Sequence, residues 1–130
     1  MDIPSITPGI RGSGTITVTP ADTAARYGSG LIEVFATPAM VALMEQTAQR
    51  SVQALLPDGA ITLGTEIHVT HVKATPVGMN VTCTTVLTAT DGRKLTFSVE
   101  ARDEQGLIGE GTHQRFIVDA RRFMEKLGQH

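Results

Sequence analysis

The spacing of apolar residues along this chain changes period twice, and the changes divide it into three stretches. Ile16 and Val18 alternate with threonines in Thr15-Ile16-Thr17-Val18-Thr19. That period of two suits a half-buried strand, and Pro20 ends it. From Thr37 to Leu56 the period becomes helical. Advancing roughly 100° per residue from Val41 gathers Val41, Met44, Ala48, Val52, Leu55 and Leu56 into one apolar stripe. Gln46, Arg50, Gln53 and also Leu43 fall on the opposite side. Thr37 is placed to cap this helix, Pro38 suits its first position, and Pro57-Asp58-Gly59 stops it. Beyond the helix the period of two returns. Ile67 and Val69 alternate with Glu66, His68 and Thr70; Met79, Val81 and Cys83 with Asn80, Thr82 and Thr84; Leu95, Phe97, Val99 and Ala101 with Thr96, Ser98 and Glu100. Asp91-Gly92 signals a hairpin between the last two runs. Glu104-Gln105-Gly106 signals another before a run to Val118, and Ala120 to Leu127 reads as a short helix.

The order is therefore strand, long helix, then a series of long antiparallel strands. Such a sheet has one face to bury, and one long helix is the main element available to cover it. The expected fold is α+β, a hotdog fold in which a long central helix is wrapped by a curved antiparallel sheet. The expected organisation is a single domain over 1–130, with 1–13 an extended lead-in and 120–130 a short terminal helix and tail.

Composition narrows the class. A chain of 130 residues is enough for one domain with its own core. Net charge is −2 and the basic residues are scattered apart from Arg121-Arg122, so a nucleic-acid partner is not expected. No apolar run approaches the roughly 20 residues a membrane span needs. Met1 to Gly14 lacks the basic start and apolar stretch of a signal peptide. With a single cysteine, Cys83, these features predict a cytoplasmic protein. The four histidines show no ligand spacing, and no metal or cofactor is expected.

Candidate chemistry lies where polar residues interrupt apolar patterns. Glu45 falls about 40° from Val41, between Val52 and Leu56 and inside the stripe. A carboxylate buried there costs several kcal/mol unless paired, and desolvation would raise its pKa, as befits a nucleophile or general base. A narrower stripe would leave it in water. His71 shares a strand face with Ile67 and Val69, so it points with the core-facing set; there it is either a satisfied core residue or a partner for Glu45 at the helix–sheet boundary. His68, three residues away, faces the other side and cannot share an ion with it. His113 reads as an exposed or interfacial strand residue, and Cys83 as a buried inert thiol. Gly64 interrupts Ile61-Thr62-Leu63-Gly64-Thr65, which marks either a bulge or a backbone N–H open to a developing oxyanion.

Three stretches together resemble one family: Val34-Phe35-Ala36-Thr37-Pro38-Ala39-Met40-Val41-Ala42-Leu43-Met44-Glu45; Leu63-Gly64-Thr65 with Val69-Thr70-His71-Val72-Lys73-Ala74-Thr75-Pro76-Val77-Gly78; and Asp91-Gly92-Arg93 with Ile108-Gly109-Glu110-Gly111-Thr112-His113-Gln114-Arg115. They resemble the fluoroacetyl-coenzyme A thioesterases, hotdog-fold enzymes that hydrolyse acyl-coenzyme A. The resemblance covers residues 15 to 125. It implies a catalytic set at Thr37, Glu45 and His71, with Gly64 near the thioester carbonyl and Arg115 close to the site. It also implies an acyl-coenzyme A substrate and a homodimer with sites between subunits. The family's aromatic-bearing lid corresponds here to Gly28-Ser29-Gly30-Leu31-Ile32-Glu33, which has no phenylalanine. A general short-chain acyl-coenzyme A thioesterase is the resulting expectation, rather than selection for a fluorinated acyl group.

The implied set meets a geometric difficulty. If Thr37 caps the straight helix that carries Glu45, eight residues place them roughly 12 Å apart. Either the helix begins later or Thr37 acts across a subunit interface. Lys73, Arg93 and Lys94 are candidate partners for the coenzyme phosphates. Two other readings stay open: a hydratase of the same architecture, which fits less because no histidine precedes His68, and a non-catalytic acyl-coenzyme A binding or sensing module.

Overall fold

A computed structural model describes residues 6–129. The first five residues of the expected lead-in, and His130 of the expected tail, lie outside the described residues. In chain order the elements are β1 (Arg11–Thr17), a 3-10 turn (Pro20–Asp22), α1 (Ala24–Tyr27), α2 (Thr37–Gln53), β2 (Ala60–His71), β3 (Asn80–Asp91), β4 (Lys94–Asp103), β5 (Gly106–Asp119) and α3 (Ala120–Leu127). The strands form one antiparallel sheet in the order β1-β3-β4-β5-β2.

The sheet curls around α2, which touches β1, β2, β3 and β4. Period-two alternation explains the long strands. Along β4, Leu95, Phe97, Val99 and Ala101 are buried while the residues between them are half-buried. Along β3, Val81, Cys83, Thr85 and Leu87 do the same. Met40 and Met44 of α2 are fully enclosed in the concave side. Both expected hairpins are present, although Asp91 remains in β3 and the turn residues are Gly92 and Arg93.

Two elements, β1 and α2, differ in extent from expectation. β1 starts at Arg11, inside the expected lead-in, and ends at Thr17 rather than Thr19. Gly12 falls in the expected extended lead-in, yet here it and Gly14 let the strand lie directly against α2. A Cβ on Gly14 would stand 2.9 Å from Thr47 Oγ1, and one on Gly12 2.8 Å from Ser51 Cβ. The helix ends at Gln53 instead of Leu56, and its cap is Ala36, so Thr37 occupies the first helical position.

The buried face of α2 is also turned, by roughly a quarter revolution, from the predicted stripe. It consists of Ala39, Met40, Leu43, Met44, Thr47, Ala48 and Val52. Leu43, expected on the far side, is covered by β1, while Leu55 is 48% exposed. The sheet closes over that flank and leaves Val41, Ala42, Glu45 and Gln49 half-buried on the other, beside β2.

Candidate active site

β2 is an outer strand, paired on one side only, with β5. Candidate residues gather at both of its ends. Near its start the register shifts between Gly64 and Glu66, the bulge that the glycine suggested. Near its end Ile67, Val69 and His71 are half-buried on one face, alternating with exposed Glu66, His68 and Thr70.

At the far end His71 meets Thr37. Thr37 Oγ1 and His71 Nδ1 are 2.7 Å apart. The first turn of α2 is carried there by backbone ties to the loop that follows β2: Phe35 N–H donates to Thr75 O at 2.8 Å, and Val34 bridges to Pro76. Thr75 Oγ1 in turn donates to Asp103 at 2.9 Å. Thr37 thus makes no helix-capping hydrogen bond, as its expected role required; its hydroxyl serves the imidazole instead. Phe35 stands edge-on to the same ring. His71 Nε2 is buried without a hydrogen-bond partner. Burial lowers the pKa of His71 below its ordinary value and outweighs a backbone hydrogen bond at Lys73 that raises it. A neutral imidazole at pH 7 follows. Thr37 and His71 line a recess of ≈ 360 Å³ together with Ser29, Val34, Phe35 and Lys73.

At the near end lie Glu45, Gly64 and Arg115. Glu45 Oε2 is 3.8 Å from Arg115 Nη1. The structure corrects the expectation of a carboxylate inside the apolar stripe: the Glu45 side chain is 43% exposed in the single chain. It sits on the flank of α2 that the sheet leaves open, and its expected partner, His71, is bonded to Thr37 instead. Arg115 is only 6% exposed. Its Nε donates to Thr62 Oγ1 at 2.7 Å and its Nη2 to Thr62 O at 2.9 Å. Burial lowers its pKa, against the raising influence of Glu45.

The same cluster contains a residue that sequence reasoning placed wrongly. His113 is 2% exposed rather than at the surface, stacked on Phe97, with Nδ1 2.8 Å from Glu66 O and Nε2 3.2 Å from Arg115 Nη1. The signal was present in the alternation, because His113, Arg115 and Ile117 share the inward face of β5. Thr62 had no such signal. Cys83 is buried, as expected, and burial raises its thiol pKa.

Gly64 is where these groups converge. A Cβ there would stand 2.9 Å from Glu45 Oε2, 3.1 Å from His113 Cε1 and 3.3 Å from Arg115 Nη1. Its φ is not in the positive region, so alanine would fit the backbone and disturb only these side-chain ends. Gly64→Ala is therefore expected to lower kcat about tenfold or more, since small misplacements of reacting groups are costly. The melting temperature should move little. An unchanged kcat would remove Gly64 from the site.

Comparison with known proteins gives the family. The model of the family described as fluoroacetyl-CoA-specific thioesterase matches residues 18–121. A fluoroacetyl-CoA thioesterase of Streptantibioticus cattleyicolor is 44% identical over 97 residues, which are 75% of this chain and 70% of the relative. The chain belongs to the fluoroacetyl-CoA-specific thioesterase family. Its fold agrees closely with a crystal structure of the fluoroacetyl-CoA thioesterase FlK, with a TM-score of 0.90 at 37% identity over 97% of this chain and 98% of that one. A hot-dog-like protein from Thermanaerovibrio acidaminovorans shares the fold at a TM-score of 0.86 and 23% identity, covering 94% of this chain and 90% of that one. The hotdog expectation holds, and the protein is a thioester hydrolase.

Proposed function

We propose that the protein hydrolyses short-chain acyl-coenzyme A thioesters as a homodimer whose two sites each draw on both subunits. The observation that carries this reading is the separation of the candidate set. Thr37 and His71 lie at one end of β2, while Glu45, Gly64 and Arg115 lie at the other. The seven steps from Gly64 to His71 span roughly 23 Å of extended strand. No side-chain motion within one subunit closes that gap.

A two-fold axis closes it. The 12-residue β2 has β5 as its only strand partner among the described residues and leaves its other edge open, an arrangement that invites another strand. When two copies pair antiparallel along this edge, the end of one β2 meets the beginning of the other. The Thr37–His71 pair of one subunit then faces Glu45 of the partner subunit. The half-buried flank of α2, with Val41, Ala42 and Glu45, is covered in the same step.

In the assembled site the Gly64 N–H receives the thioester oxygen as negative charge develops. Glu45 supplies the oxygen nucleophile, by direct attack or by deprotonating a water. The neutral His71 takes up at Nε2 the proton that leaves the water. That proton is handed on by Glu45 where Glu45 deprotonates the water, or taken directly where the water opens the anhydride left by direct attack and thiolate departure. His71 then passes it to the thiolate, while Thr37 holds the ring through Nδ1. Water is consumed, and a free acid and a thiol are released. Lys73 lines the recess at the Thr37 end and is placed to meet a coenzyme phosphate; Arg93 lines a different recess, with Arg122 and Lys126.

The segment before α2 bears on acyl choice. Leu31 is 98% exposed and Ile32 65% exposed, and Ser29 lines the Thr37 recess. Without an aromatic cover this entrance favours a general short acyl group over a fluorinated one. A thiol-release assay across acyl chain lengths tests the reading. Turnover is expected to be fastest with acetyl- to butyryl-coenzyme A, with fluoroacetyl-coenzyme A no better than acetyl. Tight binding of these compounds without thiol release would instead favour a sensing module.

A further inference from the structure

We infer that His113 is a positioning residue for the reaction: it holds the buried Arg115 guanidinium in the direction of Glu45. The inference rests on the reading of Glu45 as the reacting carboxylate. The argument begins with hydrogen-bond roles. Glu66 O can only accept, so His113 Nδ1 carries the proton and donates to it at 2.8 Å. The other ring nitrogen, Nε2, is then a lone pair, and Arg115 Nη1–H donates to it at 3.2 Å. The β2 bulge brings this carbonyl into play, since Glu66 is the first residue paired after the register shift.

Arg115 is thereby held from three directions. Thr62 takes Nε and Nη2, His113 takes one Nη1 proton, and Nη1 lies 3.8 Å from Glu45 Oε2. The groups facing His113 are Arg115 on its own strand and Glu45 on α2; β4 presents the uncharged ring of Phe97, and β2 the Glu66 carbonyl. Protonation would turn Nε2 from acceptor to donor and set two cations side by side in a buried place. Arg115 would swing away and Glu45 would lose its anchor. Burial, with the Arg115 charge, keeps the His113 pKa below its ordinary value, so this loss belongs to acid pH.

The test compares His113→Gln, which keeps an uncharged acceptor near the Nε2 position, with His113→Leu, which removes it. For His113→Leu, kcat is expected to fall about 10²-fold at neutral pH with little change in KM. His113→Gln should recover most of that loss, and its acid limb of kcat/KM should become shallower by one proton. In an Arg115→Met background His113→Leu should cost nothing further, because its effect passes through the arginine. An equal loss in both backgrounds, or an unaltered acid limb in His113→Gln, overturns the inference. The Arg115 Nε–H nuclear magnetic resonance signal gives a readout independent of turnover. It should persist in His113→Gln, be lost in His113→Leu, and broaden in the parent as acid protonates His113. If the parent releases no thiol from any acyl-coenzyme A, the thioesterase reading fails while this signal still decides whether His113 holds Arg115.

Discussion

Glu45→Gln is expected to reduce kcat for acyl-coenzyme A hydrolysis by about 10³–10⁴-fold, the upper part of the range for removing a positioned general base. Glutamine keeps the length of the side chain and an oxygen for Arg115, so the 3.8 Å approach can survive. What disappears is the negative charge that attacks the thioester or deprotonates water. KM should change by a few-fold at most, because the acyl group and the coenzyme are held by other residues. Stability should also change little, since glutamine keeps the shape of the side chain and an oxygen toward Arg115 Nη1. Steady-state kinetics on a variant with the parent's melting temperature provides the check. Turnover at the parent rate would remove Glu45 from the chemistry and leave Thr37 and His71 as the reacting groups.

The strands were legible because each carries its own evidence: period two, with turn residues at the right intervals. The bulge at Gly64 was legible for the same local reason. The environment of Glu45 was not. Its position on the helical wheel is a property of α2, but whether that arc is buried depends on how far the sheet curls, and β1 covers Leu43 instead. A stripe drawn from Val41 gives no information about that. Thr37 illustrates a second limit. A threonine before proline at the start of a helix looks like a cap, and only the tie between Phe35 and Thr75 brings its hydroxyl to His71. His113 shows a third, because the same alternation that marks a buried strand face was available, yet a polar residue following Gly109-Glu110-Gly111-Thr112 looked like surface. The resemblance to the family supplied Thr37, Glu45 and His71 together; the residues themselves singled out two of them, and neither source separated them onto two ends of one strand.

That separation makes a large and specific prediction. Purified Glu45→Gln and His71→Ala proteins should each be almost inactive, and mixing them after subunit exchange should restore activity. If Glu45 and His71 of a given site come from different subunits, as proposed, one site of a heterodimer receives both substitutions and the other receives neither. Random exchange of equal amounts makes half the dimers heterodimers, so about a quarter of the sites become intact for a two-fold symmetric assembly. The restored kcat/KM per intact site should equal the parent value, and the restored fraction should follow the mixing ratio. If each subunit carried a complete site, every site in the mixture would retain one lesion and mixing would restore nothing. The contrast is between about a quarter of parental activity and almost none, so it does not depend on small rate differences. It also tests the β2 edge directly. A proline at Val69, on the edge strand between the two clusters, would remove a backbone donor. If that donor lies in the β2–β2 ladder, the substitution should weaken dimerisation in sedimentation and abolish the restoration together. An active monomer would show that the two ends of β2 reach each other by a route other than a second copy of the chain.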